Sequence, residues 1–205
     1  MRSLLYRDWI LIRKTRAIFF SLFYLFFLIP EKNNSFMLNY STNFIFVLIT
    51  YLFFSYLTAY DYKYNGLAFT SAFPVSKKDI VVSRYVFIAM AFTVYLAIII
   101  AIKAIISYIQ GSGLVMDFRQ TSIYILVFSI FFSIIIPLYY KLGYQKIRWI
   151  MFAAMFAAAV LSGILQQSGF AFDSLLFFIA SLITGSILYC FSMEISCRIL
   201  VQKDL

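Results

Sequence analysis

Residues 61–109 read DYKYNGLAFTSAFPVSKKDIVVSRY followed by VFIAMAFTVYLAIIIAIKAIISYI, and the change of character at Tyr85–Val86 decides the fold. The first part is charged and carries a turn signal at Asn65-Gly66 and a chain break at Phe73-Pro74. The second part, 86–109, contains Lys103 as its only charged residue. A helix needs about 20 apolar residues to cross a hydrocarbon core of ~30 Å. The run is therefore a membrane span, entered from a polar loop, and Lys103 can snorkel from near its far end.

The same pattern recurs along the chain. Apolar segments at about 17–29, 41–60, 122–140, 149–166 and 174–200 join 86–109 to give six predicted spans. The first is short and stopped by Pro30, so it needs snorkelling by Lys14 and Arg16 or extension past the proline. The 205-residue chain is 64% hydrophobic and 12% charged, where a soluble domain carries roughly 25% charge. Lipid must solvate much of that apolar surface, and no room remains for a separate soluble domain. The expected class is an all-α integral membrane protein forming one transmembrane domain over 1–205.

Charge distribution sets the orientation. Arg2, Arg7, Arg13, Lys14 and Arg16 precede span one; Lys63, Lys77, Lys78 and Arg84 follow span two. Lys141, Lys146 and Arg148 follow span four, and Arg198 and Lys203 lie at the end of span six. The opposite loops hold only Lys32 and Arg119. The positive-inside rule places the basic side, and both termini, in the cytoplasm. The net charge of +9 is thus a topology signal with attraction to anionic lipid, and implies no nucleic-acid partner.

Two segments on that side look functional. In the loop 61–85, Ser76 is a natural N-cap with Asp79 three residues on, so a short helix should start at Lys77 and run into the third span. Phe73, Pro74, Val75, Ile80 and Val81 offer apolar knobs beside the cations Lys77, Lys78 and Arg84. Positive-inside requires the cations but not the knobs. Residues 1–16 project as an interfacial amphipathic helix. Leu4, Leu5, Trp9, Leu11 and Ile12 share one arc, and Arg2, Arg7, Arg13 and Lys14 the other. Asp8 falls inside the apolar arc, so a cation or N–H must be supplied to it.

Small residues recur at spacing four in span five: Ala153 and Ala157, Ala154 and Ala158, Ala159 and Gly163. Such faces let helices approach closely in lipid, within one subunit or between two. Ser181 and Gly185 repeat the pattern more weakly. Glu194 and Arg198 are spaced for an ion pair on one helix face. Trp149 with Arg148 should mark the cytoplasmic interface of span five. Cys190 and Cys197 lie about 10 Å apart along one helix, too far to bridge. No span centre carries the ionisable residues that mark ion pathways, and no phosphate-binding loop or metal-ligand cluster is present. The chain is not expected to be an enzyme, and its energy should come from another polypeptide.

The stretch FPVSKKDIVVSRY (73–85) resembles the "LPVSR-x-x-IV-x-S-K/R-Y" stretch of short permease subunits of type-2 ATP-binding-cassette (ABC) exporters. ISCRILVQKDL (195–205) is similar to that family's closing "K-D-L" helix, and LLYRDWILIRK (4–14) to its N-terminal interfacial helix. The resemblance implies a half-transporter that pairs with a second permease copy and binds two copies of a cytoplasmic ABC ATPase. Phe73, Pro74, Val75, Ser76, Lys77, Lys78, Asp79, Ile80 and Arg84 would form the coupling helix against that ATPase. Arg7, Asp8, Trp9, Arg13 and Lys14 would form the connecting helix beside it. ATP and Mg would sit on the ATPase, with no cofactor on this chain. The implied location is a bacterial cytoplasmic membrane, and the implied cargo an amphipathic peptide, as in phenol-soluble modulin exporters, or a lipid-like substrate. The segment 167–173 is too short for the extracellular hairpin of larger members. Two other readings stand beside it. One is a membrane enzyme on lipid substrates using Asp8, Asp61 and Asp79; the other is a non-transporting sensor or assembly subunit.

Overall fold

The computed structural model describes residues 2–14, 48, 51–64, 66, 76–110, 118–167 and 174–202. Among these, every regular element is helical. The helices are α1 (Arg2–Lys14), α2 (51–63), α3 (Lys77–Gln110), α4 (Phe118–Leu142), α5 (Tyr144–Gln167) and α6 (Ser174–Gln202). Three of them contain stretches long and apolar enough to cross a membrane: Lys77–Ala101, Gln120–Leu142 and Leu175–Gln202. The predicted spans 86–109, 122–140, 149–166 and 174–200 each fall inside a single helix, and 51–60 of the second is helical. The first predicted span, 17–29, lies outside the described residues. Backbone helix runs unbroken through Ser162-Gly163 and through all of α6.

α4 is the centre of the bundle. Two-thirds of its apolar stretch is buried, against 17% for α6. Ile123, Val127, Phe131, Phe132, Ile135 and Ile136 turn inward from successive turns of α4. α6 packs along most of its length on α4 and also touches α3, while α5 packs on α4. The α4–α6 seam is tight at Gly185. A Cβ there would lie 2.6 Å from Ser129 Oγ and 3.3 Å from its Cβ, so a larger residue would force Ser129 or the helices to shift. Ser181, one turn earlier, is buried too. The weaker small-residue pair of the sequence therefore forms an internal seam. The stronger set behaves differently: Ala153 and Ala157 are exposed, Ala159 is half-buried, and only Ala158 is buried. The side chain of Gly163 is outside the described set.

α4 turns into α5 over a single residue. Gly143 has φ +77°, a left-handed conformation that glycine adopts without strain. Its N–H donates to the Tyr139 carbonyl at 3.0 Å, ending α4, and its carbonyl accepts from Ile147 N–H at 3.2 Å, starting α5. Just beyond, Trp149 is exposed with the Arg148 guanidinium 5.2 Å from its ring, an amphipathic pair suited to a membrane boundary.

A capped helix start above a buried arginine

The start of α3 is built as its sequence suggests. Asp79 N–H donates to Ser76 Oγ at 3.0 Å, and the Ser76 hydroxyl donates to Asp79 Oδ2 at 2.8 Å. The first backbone bond of the helix, Ile80 N–H to the Ser76 carbonyl, is 3.3 Å. Such a cap stabilises a helix by ~1 kcal/mol. The short helix expected to start at Lys77 is thus the N-terminal end of α3 itself, continuous with its long apolar stretch. Phe73, Pro74 and Val75 lie outside the described residues.

The other coupling residues divide into two sets. Ser76 and Lys78 are exposed, and Asp79 and Lys77 half-buried. Lys77 reaches back to α6, with Nζ 3.4 Å from the Val201 carbonyl, a cation on the acceptor end of a helix. Ile80 and Arg84, expected on the same surface, are instead buried at 1% and 2% exposure. The reason is helical periodicity. Ile80, Val81, Arg84, Tyr85 and Ile88 lie on the face of α3 that turns into the bundle.

Arg84 binds two carboxylates from two other elements. Its Nη2 donates to Asp61 Oδ2 at the end of α2, and its Nε lies 3.6 Å from Asp8 Oδ2 on α1. Asp8 is fully buried and also accepts from Arg7 Nη2 at 2.8 Å. The cation that the sequence demanded for Asp8 therefore comes from both Arg84 and its own neighbour. Two arginines against two aspartates leave the group neutral. Neutrality is what makes its burial tolerable, since each isolated charge would cost several kcal/mol to desolvate. Gly66 closes the group: a Cβ on it would sit 2.6 Å from Asp61 Oδ1. α1 is held to the start of α3 by this group and by Leu4 and Leu5. Leu4 is buried in the main core, while Leu5 packs on a cluster of Phe53, Leu57 and Phe87. Trp9 stays exposed; the side chains of Arg13 and Lys14 are outside the described set.

One residue on, Tyr85 points toward α6. Its hydroxyl lies 2.7 Å from Ser192 Oγ and 2.8 Å from Ser196 Oγ. The Ser192 hydroxyl donates to the Ser133 carbonyl of α4 at 2.8 Å. That carbonyl is one that Pro137, four residues later and lacking an N–H, cannot satisfy. A hydroxyl has one proton. Ser192 spends its own on Ser133, so Tyr85 must donate to Ser192 and Ser196 to Tyr85. The Tyr189 hydroxyl adds a bond to the Tyr85 carbonyl at 2.8 Å. The Ser192/Ser196 pair was overlooked in the sequence, where its i, i+4 spacing and the lone Pro137 were the available signals. The carboxylates considered for enzyme chemistry are all engaged: Asp8 and Asp61 at Arg84, and Asp79 in the cap.

The model of a family described as ABC-2 family transporter protein matches residues 3–200 of the chain. Among curated proteins and among solved structures, no match is found.

Proposed function

The chain belongs to the ABC-2 transporter family as a membrane-embedded permease subunit, and on that premise we propose that it serves an ATP-driven exporter. In this reading it crosses a bacterial cytoplasmic membrane six times, with both termini inside. It pairs with a second permease copy and docks two cytoplasmic ATPase subunits, which hold ATP and Mg. The cargo is amphipathic, a peptide first and a lipid-like molecule second. The observation that carries the reading is the family match over 3–200, nearly the whole chain.

The geometry supplies the mechanics. The first turn of α3 is capped and cationic, with Ser76 and Lys78 exposed, so it can seat in a cleft of the ATPase. Closure of two ATPase subunits would displace it. The displacement passes along α3 as a rod, and through Arg84 to α1 and the end of α2 together. Through Tyr85 it reaches α6 and the Pro137 level of α4. Exchange between inward- and outward-facing states then needs only rigid-body motion of packed helices.

The double variant Lys77→Glu/Lys78→Glu tests the placement. It should weaken co-purification with the ATPase while the purified chain stays folded. Lys78 is exposed and Lys77 is only half-buried, so folding senses the change little. Undiminished co-purification would move the docking surface elsewhere.

A further inference from the structure

A groove of about 510 Å³ runs beside the last three turns of α6, walled on one side by Lys78 of α3. Cys190, Met193, Glu194, Cys197 and Arg198 line it at the i, i+3, i+4, i+7 and i+8 spacing of one helix face. Its polarity changes along its length. The end nearer the middle of α6 is apolar, with Cys190 and Met193. The end nearer Gln202 is charged, with Lys78 and Arg198 against Glu194, and Lys77 adjoining. Residues 190 to 202 span ~18 Å at 1.5 Å per residue. The neighbouring side chains Ile187, Phe191 and Ile195 are exposed and apolar, so the groove opens sideways onto whatever solvates α6.

We propose that this groove holds one anionic phospholipid of the cytoplasmic leaflet. The phosphate lies toward Lys78 and Arg198, and an acyl chain lies along Cys190 and Met193. Charge complementarity selects the headgroup. Two cations line the groove against one carboxylate. Arg198 spends one of its five N–H donors on Glu194 at 2.6 Å, and is otherwise 75% exposed. The polarity gradient selects a lipid over a free anion, because a free anion has no use for the apolar half. A site here would place a lipid against the first turn of α3, where membrane composition could bias docking. The inference rests on the proposed orientation of α6 and not on the ATPase.

The test is native mass spectrometry of the purified full chain, offered equal amounts of phosphatidylglycerol and phosphatidylcholine. Preferential retention of one phosphatidylglycerol is expected. Arg198→Gln should lower that retention roughly five-fold, and Lys78→Gln/Arg198→Gln roughly 30-fold. Met193→Trp fills the groove without touching a charge and should abolish it. Equal retention of the two lipids would overturn the proposal. So would displacement of the lipid by inorganic phosphate, or a second copy of the chain in the lipid's place. The chain is measured alone, so loss of lipid retention and loss of ATPase binding are separate results.

Discussion

Arg84 and Tyr85 are adjacent on α3, yet they face two differently built halves of the molecule. Arg84 gathers α1 and α2 through buried charges. Tyr85 gathers α4 and α6 through hydroxyls and one proline-freed carbonyl. The charged side is brittle, because removing any one partner leaves a buried charge unmatched. The hydroxyl side is soft, because each lost bond strands only a neutral group. α3 thus holds one set of elements through charges and the other through neutral hydroxyls.

The largest expected effect breaks the charged side. Arg84→Met should destabilise the chain by about 3–5 kcal/mol, read as a lowered thermal midpoint in mild detergent. Adding Asp61→Asn should recover most of that loss, because Arg7 and Asp8 then remain as a matched pair and the group is neutral again. If Arg84→Met behaves like a surface change, the charged half of the comparison is wrong. Ser192→Ala strands the Ser133 carbonyl beside Pro137 and should cost about 1–3 kcal/mol. Because Tyr85 can redirect its proton, the loss should fall short of that of Arg84→Met. An equal or larger loss would reverse the ranking of the two sides. Gly143→Ala should cost about 1–2 kcal/mol in the same assay. Its Cβ meets nothing within 4 Å, so the cost is the left-handed backbone alone. Ser76→Ala should be the smallest of these, about 1 kcal/mol, and local to the first turn of α3. Faster amide exchange at Asp79 in the variant than in the parent chain, with Ile88 unchanged, would show it.

Much of this was legible in the sequence. Long apolar runs gave the helices, Ser76 and Asp79 gave the start of α3, and Asp8 in an apolar arc demanded a cation. Glu194 and Arg198 pair as their spacing implies. What was not legible depended on which side of a helix turns inward. Arg84 reads as one more cation of the exposed loop surface even with a helix starting at Lys77, because nothing in the sequence brings Asp61 and Asp8 to its side of α3. The small residues show the same limit. Span five has the richer pattern, yet the seam forms at Ser181 and Gly185, because the partner surface there, Ser129 on α4, is itself small. Pattern identifies a helix that can approach another, and only the facing helix decides whether it does.

The central claim is that this chain is the membrane half of a machine powered by another polypeptide. It is tested most directly by pulling the tagged chain from its native membranes in mild detergent and identifying stoichiometric partners by mass spectrometry. The account predicts a cytoplasmic ATPase with a phosphate-binding loop, at about one copy per permease. Recovery of the intact, monodisperse chain without any such ATPase would contradict it.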